Sequence, residues 1–287
     1  MILITGITGT TGIEVANLIS KTKVKVRALV RDSQSAALLE KMGIKIAEGN
    51  LESRDTIRRA INGVQKIFLL TANNPKQVEQ EKNLIDVSYE ANVKHIVKFS
   101  IIGADSNSRC GILKRHSTSE IYLENSKINY THIRPNLFMQ NFLMFANTIK
   151  KSGEFYYPLK TARCGFVDVR DVANVIVKIL LDENHEQYNK RIYTLTGPDL
   201  LSCKDVAEIF STYIHKRVSY INISAEKFIK VLQKFKFKKV IAVDYSNLYS
   251  LASEGLFDKK TSDIFYLTNT KPRSFENFVK ENIEYFN

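Results

Sequence analysis

Residues Ile2 to Thr5 form a short apolar run that passes directly into Gly6, Ile7, Thr8, Gly9, Thr10, Thr11 and Gly12, where a helical pattern begins. A strand feeding three glycines at intervals of three, and then a helix, has few architectures open to it. The first glycine permits a tight turn, the second lets the backbone approach a bound group with no side chain between, and the third lets the helix pack closely on the strand. The free N–H groups and dipole of that helix then favour an anion such as a pyrophosphate. The loop Gly6, Thr8, Gly9, Thr10, Thr11, Gly12 is therefore a candidate dinucleotide site.

The same rhythm continues downstream. Apolar runs at Val24 to Val30, Ile44 to Ala47, Lys66 to Leu70, His95 to Ser100 and Tyr130 to Ile133 read as five further strands. Helical patterns at Gly12 to Lys21, Ser35 to Met42, Arg54 to Ile61, Pro75 to Ala91 and Leu113 to Glu124 separate them. Strand and helix in alternation imply an α/β fold, a Rossmann-like doubly wound parallel sheet over residues 1–150. Residues 151–287 read mainly as a smaller, mixed, substrate-side lobe, interleaved with the first because later segments return to it. Within it, Val169 to Leu181 reads as a helix and Arg191 to Thr196 as a strand, while Ser202 with Asp205, and Ser274, mark helix starts.

A chain of 287 residues with 44% hydrophobic and 25% charged residues can bury a sizeable core, which excludes disordered and fibrous classes. Cys110, Cys164 and Cys203 are widely spaced and form no CxxC pair, so neither a disulfide framework nor a zinc site is expected. No run approaches the roughly 20 apolar residues of a membrane span, and the start of the chain does not read as a signal peptide; the expected setting is cytoplasmic. The formal charge is +12, and residues 216–239 hold eight Lys or Arg against Glu226 alone. Within that stretch Phe228, Ile229, Val231, Leu232 and Phe235 share a helical face, with Lys227, Lys230, Lys234 and Lys236 around the rest. This reads as an amphipathic helix docked on the body with a solvated lysine face, the alternative being an anionic-surface or nucleic-acid contact. No nucleic-acid motif accompanies it, so a nucleic-acid partner is not expected.

Nucleotide choice turns on the end of the second strand, where an acid would hold a ribose 2'-hydroxyl and an arginine a 2'-phosphate. The chain offers both, Arg31 and Asp32. A guanidinium fork on the phosphate would favour NADP. Asn50, after the third strand, is either an adenine partner or a turn-former.

Taken with the glycine loop, VRALVR (Val26 to Arg31), KFSIIGAD (Lys98 to Asp105), YTHIRPNLFMQN (Tyr130 to Asn141), FVDVRDVA (Phe166 to Ala173), YTLTGP (Tyr193 to Pro198) and PRSFENFV (Pro272 to Val279) resemble the NmrA-like branch of the atypical short-chain dehydrogenases. That group includes quinone and triphenylmethane reductases and NADP(H)-sensing regulators. The resemblance implies NADP(H) over NAD(H), Arg31 as the NADP-selecting residue, Leu70, Thr71, Ala72 and Asn73 bordering the cofactor, and Asn136 and Leu137 beside the nicotinamide.

One departure carries chemistry. Typical short-chain dehydrogenases use a tyrosine proton donor with a lysine four residues later. Here the only such spacing, Tyr156 and Lys160, is interrupted by Pro158 and follows the sixth strand, so a helix cannot present it. The corresponding helix instead reads His116, Ser117, Thr118, Ser119, Glu120. His116 and Glu120 share a helix face, so His116 is a candidate imidazolium donor, the alternative being that both only pack the helix. Ser100 is a candidate lining residue or a simple strand end. Phe138, Asn141 and Phe142 are a candidate wall for a planar substrate, or core. The expected function is an NADPH-dependent reductase passing hydride to a small conjugated acceptor such as a quinone, azo or triarylmethane compound. The alternative is a non-catalytic NADP(H) sensor acting through a protein partner. Monomer and dimer both remain open.

Overall fold

The computed structural model describes residues 1–32 and 36–287; Ser35, where the sequence pattern starts the second helix, lies outside the described residues. The chain divides into two compact units, the first of residues 1–106, 114–134 and 172–193, the second of residues 107–113, 135–171 and 194–287. The first large exchange falls at Pro135 rather than near residue 150.

In the first part of the chain β1 (Ile2–Thr5), β2 (Val26–Val30), β3 (Lys45–Glu48), β4 (Lys66–Leu69), β5 (His95–Phe99) and β6 (Asn129–Pro135) alternate with α1 (Thr10–Ile19), α2 (Ala37–Lys41), α3 (Arg54–Ile61), α4 (Gln77–Glu90) and α5 (Gly111–Glu124). Then follow α6 (Ala146–Ser152), β7 (Glu154–Tyr157), β8 (Arg163–Cys164), α7 (Val169–Leu181), β9 (Arg191–Leu195), β10 (Leu201–Ser202), α8 (Cys203–Ile214) and β11 (Ser219–Asn222). The remainder is helical: α9 (Ala225–Lys234), α10 (Lys239–Ser253), α11 (Asp263–Thr268), α12 (Phe275–Glu281) and α13 (Ile283–Phe286).

One seven-stranded sheet runs in the order β3-β2-β1-β4-β5-β6-β9, and the pairings from β3 through to β6 are parallel. Strand order reverses between β1 and β4, and the carboxyl ends of the strands at such a reversal are where open α/β sheets bind ligands. Thr5 laces those two ends together. Its hydroxyl donates to the Leu70 carbonyl at 2.8 Å and accepts from the Leu70 N–H at 2.9 Å. Beneath the sheet lies a core that includes Leu3, Ile57, Ile67, Leu84, Ile85, Ile96 and Leu123. Central strands β1 and β5 are apolar or fully covered, as strands packed on both faces must be. Lys23, Val24 and Lys25 instead stay exposed, so β2 begins at Val26.

The second unit is built on aromatic packing. Tyr157, Phe142, Phe145, Phe155, Phe210, Phe228 and Phe275 are all fully buried. Two small sheets accompany them: β11 runs parallel to β7, and β10 antiparallel to β8. The Ser202 and Asp205 capping box starts α8, with Ser202 N–H donating to Asp205 at 2.7 Å and Asp205 N–H to Ser202 Oγ at 3.2 Å. Ser274 caps α12 in the simpler way, accepting from the Asn277 N–H at 3.3 Å.

Candidate active site

The glycine loop separates fold from binding position by position. Gly6 has φ of +62°, and a Cβ there would sit 2.6 Å from the Leu70 carbonyl oxygen. At Gly12 a Cβ would sit 2.3 Å from the Gly6 oxygen and 2.5 Å from Ile7 Cα. Both glycines are required by packing alone. Gly9 differs: its backbone is extended (φ −82°, ψ 171°), and a Cβ would meet only the Gly6 oxygen at 3.4 Å. Nothing among the described residues needs a glycine there.

Gly9 is the residue from which α1 starts, with no side chain capping that end, and Thr8, Gly9 and Thr10 are exposed while Thr11 is buried. The first N–H groups of a helix have no acceptor within it. A bare, positive helix end with an unfilled methyl position fits a pyrophosphate, so Gly6 to Gly12 would hold the phosphates of a dinucleotide.

Arg31 and Asp32 both lie exposed just past β2. Asn50 does what a turn-former does: its Oδ1 accepts from the N–H groups of Glu52 and Ser53 at 2.9 and 3.1 Å. After β4, Leu70 and Thr71 are half-buried and Ala72 is exposed. The Ala72 carbonyl accepts from Asn74 at 2.8 Å, and Asn73 accepts from Arg115 on α5.

Behind this segment lies a polar cluster that sequence reasoning missed. Thr71 donates its hydroxyl to Glu81, Gln77 donates to the same carboxylate at 3.2 Å, and Lys98 Nζ pairs with it at 2.9 Å. The Lys98 and Glu81 side chains are both completely buried. Burial pushes the Glu81 carboxyl up, but Lys98, His116 and Thr71 outweigh it and hold it below the usual carboxylate range. Lys98 is the first residue of the KFSIIGAD motif, yet nothing in spacing reveals its partner on α4.

His116 belongs to this cluster, in surroundings that work against an imidazolium donor. The imidazole faces the Gln77 amide at 3.3 Å from Nδ1. Burial first, and Lys98 second, drive its pKa down to about 3, so it is a neutral ring at physiological pH. Glu120, the intended charge partner one turn on, is gripped instead by Arg134 of β6, whose Nε donates at 2.9 Å and whose Nη2 completes the fork. A bidentate arginine from the neighbouring strand wins over a same-helix imidazole. Ser100 is buried at the end of β5, with its N–H bonded to the Ile133 carbonyl at 2.7 Å.

The other expected site residues lie in the second unit. The Asn136 side chain donates to the Phe257 carbonyl at 3.0 Å and accepts from the Leu137 N–H at 2.7 Å. Both residues are buried. Phe138 and Asn141 are half-buried, whereas Phe142 is core, not wall. Its ring lies 5.1–5.4 Å from those of Phe155, Tyr157, Phe166 and Phe275. The cause is local: Met139–Phe145 coils as a 3-10 helix, so Met139, Phe142 and Phe145 stack on one buried side. Tyr156 lies on β7 with its hydroxyl on Glu154, and Lys160 sits in a left-handed turn. Two of the sequence motifs meet here. Asp171 of FVDVRDVA accepts from the backbone and guanidinium of Arg273 in PRSFENFV, while Arg170 bridges Asp168 and Glu281.

The NmrA-like family model matches residues 1–279. The chain belongs to the NmrA-like family. Among its relatives is an NAD(P)H azoreductase from Xenophilus azovorans, 34% identical over 280 residues, covering 98% of this chain and 97% of the relative. An NADPH-dependent quinone oxidoreductase from Escherichia coli, solved with NADPH, superposes with a TM-score of 0.88 at 23% identity, over 99% of this chain and 100% of that one. A triphenylmethane reductase from Citrobacter sp., complexed with NADP(H), gives 0.87 at 22% identity, over 98% and 99% of the two chains. These two structures share the NmrA-like fold with this chain. Among the described residues no helix is long and apolar enough to cross a membrane.

Proposed function

We propose that this NmrA-like protein is an NADPH-dependent reductase whose acceptor is a conjugated electrophile of the quinone, azo or triarylmethane class. The chain is an NAD(P)H-dependent oxidoreductase that takes NADP(H); the acceptor class is the step being proposed. The observation that carries it is the state of the polar cluster behind β5. His116 is neutral, with a pKa near 3, Glu81 is tied to Lys98, and Glu120 is tied to Arg134. None of these groups is poised to protonate an alkoxide at neutral pH, so an ordinary ketone would be a poor acceptor. A quinone, an azo bond or a triarylmethane cation takes hydride at an electrophilic centre and collects any proton it needs from water. The azoreductase relative supports the same class.

When bound, the nicotinamide supplies the hydride. The chain's own residues then have separable roles. Gly9 and the first turn of α1 bind phosphate, Arg31 reads the 2'-phosphate, and the Thr71–Glu81–Lys98 chain fixes the segment Leu70 to Asn73. Phe138 and Asn141 are the remaining candidates for touching the acceptor.

Titration with NADPH and NADH, followed in the same cuvette by absorbance at the reduced-nicotinamide band as quinones, azo dyes and triarylmethane dyes are added, tests the reading. Tight NADPH binding with acceptor-dependent oxidation is the expected result. Tight binding with no oxidation by any acceptor would replace the reductase with the NADP(H) sensor.

A further inference from the structure

We propose that the turn between α9 and α10 docks on an anionic lipid bilayer. The two helices form a hairpin whose inner sides are closed by Phe228 and Leu232 from α9 and by Ala242, Ser246 and Tyr249 from α10. The Phe228 and Tyr249 rings lie 4.9 Å apart. Sequence periodicity places Phe235 on that same inner face. Instead α9 ends at Lys234, Lys236 takes a left-handed turn with φ of +66°, and the chain reverses. Phe235 and Phe237 are left 44% and 37% exposed, and Val240 and Val243 on the first turns of α10 are 53% and 36% exposed.

Four apolar side chains are thus left partly open to solvent within nine residues, at the tip of the hairpin, even though the Phe235 ring lies 6.5 Å from that of Phe145 and the Phe237 ring 5.6 Å from that of Tyr245. Around them stand Lys227, Lys230, Lys234, Lys236, Lys238 and Lys239, all exposed, with Glu226 the one acid between residues 225 and 243. A folded chain gains nothing by exposing clustered phenylalanine and valine; such a patch marks an interaction surface. An apolar tip inside a lysine collar matches the boundary of a bilayer with acidic headgroups, where the apolar side chains enter the acyl region and the ammonium groups stay at headgroup level.

The chemistry favours lipid over the other occupants. All the cations between residues 225 and 243 are lysine and none is arginine, whereas forked contacts to phosphodiester and base edges favour arginine. Val240 and Val243 offer nothing for a base to stack on, and the rings of Phe235 and Phe237 are already engaged by those of Phe145 and Tyr245. A second copy of the same face would set lysine against lysine.

Co-sedimentation of the full chain with vesicles, at roughly physiological ionic strength, tests this. Phosphatidylcholine vesicles containing about 30% phosphatidylserine should bind it and pure phosphatidylcholine should not. Lys230→Gln with Lys234→Gln and Lys238→Gln should lower partitioning about a hundredfold, at roughly fivefold per lysine. Val240→Ser with Val243→Ser, at partly exposed positions and with thermal denaturation showing that the variant stays folded, should lower it at least tenfold. Equal binding to both vesicle types, no binding to either, or binding that both variants leave intact would each overturn the proposal. Retention on single-stranded or duplex DNA without vesicle binding would transfer the surface to nucleic acid.

Discussion

Substituting alanine at two glycines only three residues apart should produce opposite phenotypes. At Gly12 the new methyl would lie 2.3 Å from the Gly6 oxygen and 2.5 Å from Ile7 Cα, and both obstacles are backbone. Overpacking costs about 1–3 kcal/mol, toward the upper end when no side chain can move aside. Replacing glycine in a helix returns about 1 kcal/mol. The net loss is about 2 kcal/mol, a fall of roughly 3–4 °C in Tm for a chain of this size. At Gly9 the methyl meets a single atom at 3.4 Å and the backbone is ordinary for alanine. Losing glycine at a helix N-cap costs roughly 0.5–1 kcal/mol, and the stiffer unfolded chain returns about 0.4–1 kcal/mol. Stability should therefore barely change. The same methyl would occupy the space proposed for the pyrophosphate. Loss of one charge-assisted hydrogen bond of about 1.5–3 kcal/mol weakens NADPH binding roughly ten- to hundredfold. Thermal denaturation and fluorescence titration on both variants separate the effects. If Gly9→Ala binds NADPH within twofold of the parent, the phosphates do not approach the start of α1 and the reasoning fails.

Arg31→Ala should weaken NADPH binding far more than NADH binding; equal losses in parallel titrations would remove Arg31 from the 2'-phosphate. His116→Ala should leave the pH profile of quinone reduction without a lost limb between pH 6 and 8, because the ring with a pKa near 3 is neutral throughout; disappearance of a limb in that range would restore His116 as a donor. Lys98→Met alone should cost about 3–5 kcal/mol in urea unfolding by stranding Glu81, and adding Glu81→Leu should recover much of it; a double variant worse than the single one would show that the pair adds net stability. His95, His116 and His132 are held at about 3, 3 and 4, first of all by burial. The unfolded chain therefore protonates first as pH drops below about 6.5, so their contribution is complete above that value and declines towards the folded pKa values, by about 2 kcal/mol per histidine at pH 5. A Tm that stays flat from pH 7 to pH 5 would refute this.

Local chemistry made the sheet and the glycine loop legible, because each strand carries its own apolar run and the glycines act on backbone within a few residues. Arg54–Ile61 and Val169–Leu181 fall where their apolar periods place them. What escaped depends on elements that meet only in the folded chain. Glu81 and Lys98 lie on α4 and β5, and no spacing rule joins them. Glu120 seemed assigned to His116 by helix spacing until Arg134 arrived from another strand. Phe142 and Phe235 show a different limit: Met139–Phe145 coils with three residues per turn, so an α-helical period does not decide between wall and core for Phe142, and α9 ends at Lys234, one residue short of Phe235.

The crossing of the chain between its two units has a consequence for synthesis. Strand β6 ends at Pro135, but its outer neighbour β9 is contributed by residues 191–195. While the intervening residues are still being made, the nascent sheet ends in an unpaired strand whose N–H and C=O groups invite any passing strand. The half-made chain is thus the stage most in need of a chaperone. Truncation after residue 134 would leave β6 unpaired on that side permanently, so a variant ending there should aggregate more readily than the full chain.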